Sequence, residues 1–239
     1  MPSLTISKKD AQAALSGKVT RWSMDCKATV HLGDVSRGGL TRGDHRACDH
    51  DLGLTEKYVP CGIVDEGHGD LSITFGSSYK TSDFIVDTLE ARWRAVDEAT
   101  KSTTEVLQIK MDNGPESSGS RTQFLKRMVQ FVDNIGKPVQ LLYYPPYHSK
   151  YNPIERCWGI LELHWNGTKL LDVETMLEWA KTMTWRGLHP VVDLSHQAYE
   201  KGIALSKRMM RSVEQRLERH PELPKWDIVI RPIEPVLTR

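Results

Sequence analysis

The chain has 239 residues, 39% hydrophobic and 26% charged, which is ordinary for one large globular domain or a domain with an appendage. Basic and acidic residues nearly cancel, 32 against 31, so composition by itself does not point to a nucleic-acid partner. No apolar run approaches the roughly 20 residues that cross a bilayer, and MPSLTISKKDAQAALSG is no signal peptide, which together predict a cytosolic protein with no membrane partner.

The first 17 residues are polar and small and read as a lead-in or the end of a truncated linker. From Val19 to about Leu32 the chain alternates and is rich in β-branched residues, as a strand does. A polar, glycine-bearing loop follows. Two further strand-like runs, Lys57–Val64 and Leu71–Phe75, are separated by DEGHGD, a hairpin-turn sequence.

Ile85, Leu89, Trp93 and Val96 recur at helical spacing, which predicts a helix over Ser82–Ala99 with Ser82 as its N-cap. EVLQIKM (105–111) reads as a short apolar strand that stops at Asp112. A second helix is predicted over Ser120–Ile135, with Phe124, Met128, Phe131 and Val132 on one face and Gly136 at the C-terminal cap. Val139–Tyr144 is another strand, and Asn152-Pro153 open a further helix. Beyond Val173 the pattern predicts mostly helix through His220, then an extended, proline-punctuated tail. The order of strands and helices implies an α/β fold with a mixed sheet flanked by helices.

Three acids fall at the ends of these elements. Metal-dependent phosphoryl transfer needs hard oxygen ligands converging on one point, and magnesium takes one or two carboxylates while leaving room for phosphate and water. Asp25 lies in the first strand, where aspartate is disfavoured unless the position is exposed or functional. Asp112 ends a strand, where α/β sites gather, although Asp-Asn-Gly is also plain turn chemistry. Glu155 stands three residues after Asn152, so Asn152, Pro153 and Glu155 also make a capping box.

MDNGPE (111–116) and YYPPYHSKYNPIERCWG (143–159) resemble the second and third signature blocks of bacterial DDE insertion-sequence transposases, in particular the ISAzo-type branch. SMDCKATVHLGDVSRGG (23–39) resembles the first block, and ELPKW (222–226) the closing segment, so the resemblance spans nearly the whole chain. It implies an RNase H-like catalytic domain over residues 18–189, a helical extension and tail over 190–239, and a bacterial cytoplasmic setting. It also implies Asp25, Asp112 and Glu155 as a metal-binding catalytic triad serving two Mg2+ ions, with Mn2+ as a substitute. The partners implied are DNA, both element ends and target, and a second copy in a homodimeric assembly.

Members of that family carry an N-terminal helical region that recognises the element's ends. This chain starts just before the first block, so the expectation is a fragment, a truncated copy or one piece of a split protein. Three functions stay open on that ground: a DNA strand transferase, an inactive remnant that binds DNA or a full-length transposase, and an RNase H-like nuclease that cuts without joining.

Several other residues carry paired readings. Lys27, two residues after Asp25 on the same strand face, contacts DNA or tunes the carboxylates. His148 and Lys150, in the loop before Glu155, hold a phosphate or are simply solvated. His45, Cys48 and His50, among Asp44, Asp49 and Asp51, invite a zinc reading but lack a second ligand pair, which favours a polar loop. The basic residues of Lys201–His220 track a DNA backbone or form a solvated face. Trp158, Trp165, Trp179 and Trp185 read as packing residues. The four cysteines form no CxxC pair and read as buried free thiols.

Overall fold

The computed structural model describes residues 19–33, 56–145 and 151–233. Its centre is a mixed nine-stranded sheet. The N-terminal strand β1 (Val19–Cys26) lies in the middle. On one side it pairs antiparallel with β3 (Lys57–Asp65), which pairs antiparallel with β4 (Leu71–Gly76). On the other it runs parallel to β5 (Val106–Asp112), itself parallel to β6 (Val139–Tyr144). The two-residue β2 (Val30–His31) pairs with β3 off the main path.

The predicted hairpin turn is present, and Asp65 Oδ1 closes it by accepting from the Gly67 and His68 amides. The helix expected over Ser82–Ala99 is two helices. Helix α1 (Ser82–Ala95) is capped by Thr81 rather than Ser82, with the threonine hydroxyl accepting from the Phe84 amide. It ends at Val96, and Asp97 caps a new helix, α2 (Glu98–Thr103), through the Thr100 amide. Helix α3 (Thr122–Ile135) ends as expected at Gly136, whose φ of 64° is the left-handed geometry glycine adopts without strain. Helices α4 (Pro153–His164) and α5 (Val173–Thr182) follow β6.

The C-terminal part departs furthest from its predicted helical character. After α5 come β7 (Val191–Ser195), α6 (Lys207–Glu214), β8 (Leu217–Arg219) and β9 (Asp227–Ile230). Strand β7 extends the sheet beyond β4 in parallel, and β9 pairs antiparallel with β6 at the opposite end. Pro190 bars helix just before the β-branched start of β7. The last segment therefore covers both edges of the sheet, which protects their unpaired backbone groups.

Strict alternation sends side chains of the central strands to two cores. Trp22, Met24, Ile109 and Met111 pack on one face with Phe84, Leu89, Phe124 and Phe131 of α1 and α3. On the other face Val64, Ile73 and Phe75 meet Ile154, Trp158, Leu161 and Trp165 of the α4 region. Because Met24 and Met111 point to the first face, Asp25 and Asp112 point to the second, beneath α4.

Candidate active site

The parallel pairing of β1 and β5 runs from Val19 opposite Val106 to Ser23 opposite Lys110. Continued by two residues, that register puts Asp25 level with Asp112, one strand apart and on the same face. Tyr144 is the partner of Asp112 on β6, and Gly62 is the partner of Asp25 on β3. All three acids predicted from sequence, Asp25, Asp112 and Glu155, are half-buried.

Glu155 reaches this row from the first turn of α4, and the helix is pinned to β1 by a buried polar knot. Asn152 is fully buried. Its side-chain oxygen accepts from the Ser23 hydroxyl, and its Nδ2 donates to the Met24 carbonyl at 3.2 Å. Ser23 Oγ in turn accepts from the Ile154 amide at 3.1 Å. The capping box expected from Asn152 and Glu155 is thus not made. Asn152 occupies the N-cap position but gives the helix no side-chain cap bond. A serine from the neighbouring strand satisfies the helix amide instead, and Glu155 is not needed there.

The approach of α4 depends on Gly62. A Cβ at that position would lie 2.6 Å from Ile154 Cδ1 and from Trp158 Cη2. With no side chain in the way, Trp158 packs over Gly62 and its indole Nε1 donates to Asp25 Oδ2 at 3.1 Å. The tryptophan is a packing residue, as its sequence suggests, and it also orients the first acid. Trp158→Phe keeps an aromatic ring at this buried position and removes the donor together with the pyrrole part of the ring. Where Asp25 serves as a metal ligand, losing such an outer partner costs about 10- to 100-fold in metal affinity or activity. A Mg2+ titration of nicking should show that loss, and an unchanged titration would remove Trp158 from the site.

The electrostatics tie the three acids together. Burial raises the Glu155 carboxyl above the ordinary carboxylate range; the charges of Asp25 and then Asp112 push it higher, and Lys27 opposes them. Burial likewise raises Asp112, with Asp25 adding to it and Lys80 pulling back. Burial also pushes the Tyr144 phenol strongly upward, helped by Glu66 and Asp112. Asp112 Oδ1 is buried and has no hydrogen-bond partner among the described residues. A half-buried carboxylate with an orphaned oxygen beside two further acids is a donor set suited to a hard cation. Among the described residues no three His, Cys, Asp or Glu side chains already close around an ion-sized point. Like charges without a counter-ion repel, and Asp25 is turned to its indole partner.

Lys27 does lie near the acids, but its ammonium is in an ion pair with Glu162 at 2.6 Å, two helical turns beyond Glu155. Glu162 also accepts from Trp165 Nε1 at 2.9 Å. The Lys27 charge also acts on Glu155, lowering that carboxyl. Lys80, between β4 and α1, was not foreseen. It donates to the Cys26 carbonyl at 3.5 Å and acts on Asp112. His148 and Lys150 lie outside the described residues, as does the His45, Cys48 and His50 group with its aspartates. Cys26, Cys61 and Cys157 are buried and free, as expected.

A five-strand mixed core in the order β4-β3-β1-β5-β6, helices on both faces and acids at the ends of two adjacent parallel strands define an RNase H-like fold. Residues 4–232 match the family described as the Rhodopirellula transposase DDE domain, and the chain belongs to that family. No curated protein matches it. Two solved structures are similar at low identity. The Mos1 strand transfer complex gives 9% identity over 74% of this chain and 49% of that one, with a TM-score of 0.47. The simian T-cell lymphotropic virus intasome in complex with PP2A regulatory subunit B56 gamma gives 17%, 60% and 38%, with a TM-score of 0.39. The chain thus spans less than half the length of either. No helix among the described residues is long and apolar enough to cross a membrane.

Proposed function

We propose that this chain is the catalytic domain of a metal-dependent DNA strand transferase, with Asp25, Asp112 and Glu155 as the acids that hold the metal. The observation that carries the reading is the register that sets Asp25 level with Asp112 beneath the first turn of α4. Family membership supplies the reaction class.

Each residue then has a task. Asp112 offers its orphaned oxygen and Asp25 the oxygen not engaged by Trp158, while Glu155 approaches from the helix above. The Ser23–Asn152 knot ties the backbone of α4 to that of β1, so Glu155 and Asp25 sit on elements fastened to each other. Lys27 opposes the upward shift of Glu155 and Lys80 that of Asp112, which favours the ionised forms of those two acids that bind a cation. A divalent cation, when bound, supplies Lewis-acid stabilisation to the oxygens of an in-line phosphodiester exchange. The carboxylates suit Mg2+, with Mn2+ as a substitute, and two ions are proposed. The substrates are DNA, element ends and target alike, the acting form is a homodimer, and the setting is a bacterial cytoplasm.

The test incubates the full chain with labelled element-end duplexes, target plasmid and Mg2+. Joined product is the expected result, and Asp25→Ala should remove it while leaving the fold intact. Cut but unjoined product would make the protein a nuclease. No product, or cleavage retained in Asp25→Ala, would overturn the assignment.

A further inference from the structure

A basic strip leads away from the acids. Between Glu200 and Glu214 the chain carries Lys201, Lys207, Arg208 and Arg211 and no acid at all. All four are exposed, and none forms an ion pair among the described residues. Their neighbours behave differently: Arg216 is paired with Asp133 at 2.7 Å, Arg231 with Glu218 at 2.6 Å, and Arg219 with Glu214. In a chain of net charge +1, a run of unneutralised cations among neutralised ones is a local concentration of positive field.

The strip is held in place on the body of the domain. The Leu205 amide donates to Thr122 Oγ1 at 3.0 Å, at the start of α3. Ser206 caps α6 through the Met209 amide, and Val213 is buried in the core. The strip is also continuous with the acids. Lys201 Nζ lies 3.7 Å from the ring centroid of Tyr79, whose neighbour Lys80 acts on Asp112. Tyr79, Lys80 and Lys201 line one cleft of about 640 Å³. Of the acids in that cleft, Asp83 is bound by Arg127 at 2.7 Å and Glu116 lies 3.7 Å from Arg121, which leaves Glu200.

We infer that this strip, from the cleft at Lys80 and Lys201 along α6 to Arg211, is a phosphate-backbone track that holds DNA flanking the acids. The inference rests on the reading of those acids as a phosphodiester site. A rigid row of cations suits a regularly spaced polyanion. The inward placement of Val213, with Met209 as the one large hydrophobic side chain exposed on α6, gives no apolar face for a lipid surface.

The test measures binding of the full chain to a 40-base-pair duplex of arbitrary sequence by fluorescence anisotropy, without divalent metal, across 50–200 mM salt. Each lost phosphate contact flattens the plot of log affinity against log salt by about 0.9. The triple variant Lys207→Gln, Arg208→Gln, Arg211→Gln should therefore be shallower by about 2.7. Across that fourfold range of salt the wild type then loses roughly fortyfold more affinity than the variant. Arg208→Gln alone should shift the slope by about one, which guards against a folding defect in the triple variant. A wild-type slope in both would overturn the track. So would weaker binding at every salt concentration with an unchanged slope, or a loss seen only with anionic phosphatidylserine vesicles. Because no metal or turnover enters the measurement, an inactive set of acids would leave the slope change in place.

Discussion

Asp112→Asn is expected to lower metal-dependent nicking about a thousandfold while making the metal-free protein more stable at neutral pH. The first effect follows from losing the metal ligand that the proposed function makes of Asp112: metal stabilisation of transition-state charge is worth several kcal/mol, and each 1.4 kcal/mol is tenfold in rate. The second follows from the sign of the shift. Burial, and then the charge of Asp25, raise the Asp112 carboxyl above its unfolded value. Such a group favours the fold below the unfolded pKa, and that contribution is lost as pH rises through the folded pKa. At neutral pH the wild type therefore carries a half-buried charge that Lys80 offsets only in part, and asparagine of the same shape does not.

Thermal melts without metal should accordingly show the wild type gaining stability on acidification, in the window just above the ordinary carboxylate range. Glu155 shares that direction of shift, so Asp112→Asn should flatten the dependence without removing it. Under the proposed function, added Mg2+ should raise the wild-type melting temperature, because a site built from residues distant in sequence exists only in the folded form, and raise that of the variant less. On the activity side, nicking should fall at acid pH as Asp112 and Glu155 take up protons and cease to be ligands. A variant that still nicks, or a wild type whose metal-free stability rises with pH across that window, would contradict the role given to Asp112.

The elements that position the acids were legible because each is strongly patterned. β6 was read to its residue limits, and α3 to within two, from an apolar face followed by a glycine. The acids themselves could be placed at strand and helix ends, but not related to one another. Their relation comes from the register of β1 on β5 and from the seating of α4, both contacts between residues far apart in sequence. Asn152 shows the limit well. Its sequence context is that of a helix cap, and only the neighbouring Ser23 reveals that the amide is used to fasten helix to strand. Trp158 and Lys80 gave no sign of touching the site, since a packing tryptophan and a surface lysine look the same with or without it.

Strands β7 and β8 fall where helix was expected, and β9 within the tail expected to be extended; β8 and β9 are three and four residues long, with charged residues in and beside them. They exist by pairing with each other and with β6, so local pattern alone did not identify them. Gly62 did carry a readable signal: a glycine inside the run KYVPCGIVD marks close approach of another element. Its importance became visible only with α4 above it.

Gly62→Ala should therefore be damaging out of proportion to one methyl group. The position has room for no Cβ, since the atom would meet Ile154 Cδ1 and Trp158 Cη2 at 2.6 Å. Both neighbours are buried core residues, at 0% and 4% exposure, so neither can swing into solvent. The helix must move off the sheet or the strand must bend. Overpacking of this kind costs about 1–3 kcal/mol, or a fall in melting temperature of roughly 2–12 °C for a chain of this size. The rate should fall further than stability alone suggests, by about a hundredfold for a displacement near 1 Å. The reason is geometric: Gly62 lies opposite Asp25, and the displaced helix carries both Glu155 and the indole that holds Asp25. Ile154→Val removes one of the three obstructing atoms, the other two being Cη2 and Cζ2 of Trp158, so the double variant should recover part of both losses, a coupling that independent sites would not show. If Gly62→Ala melts and nicks as the wild type does, the helix has slack above the sheet, and the spacing of Glu155 over the two aspartates is set by the Ser23–Asn152 knot instead.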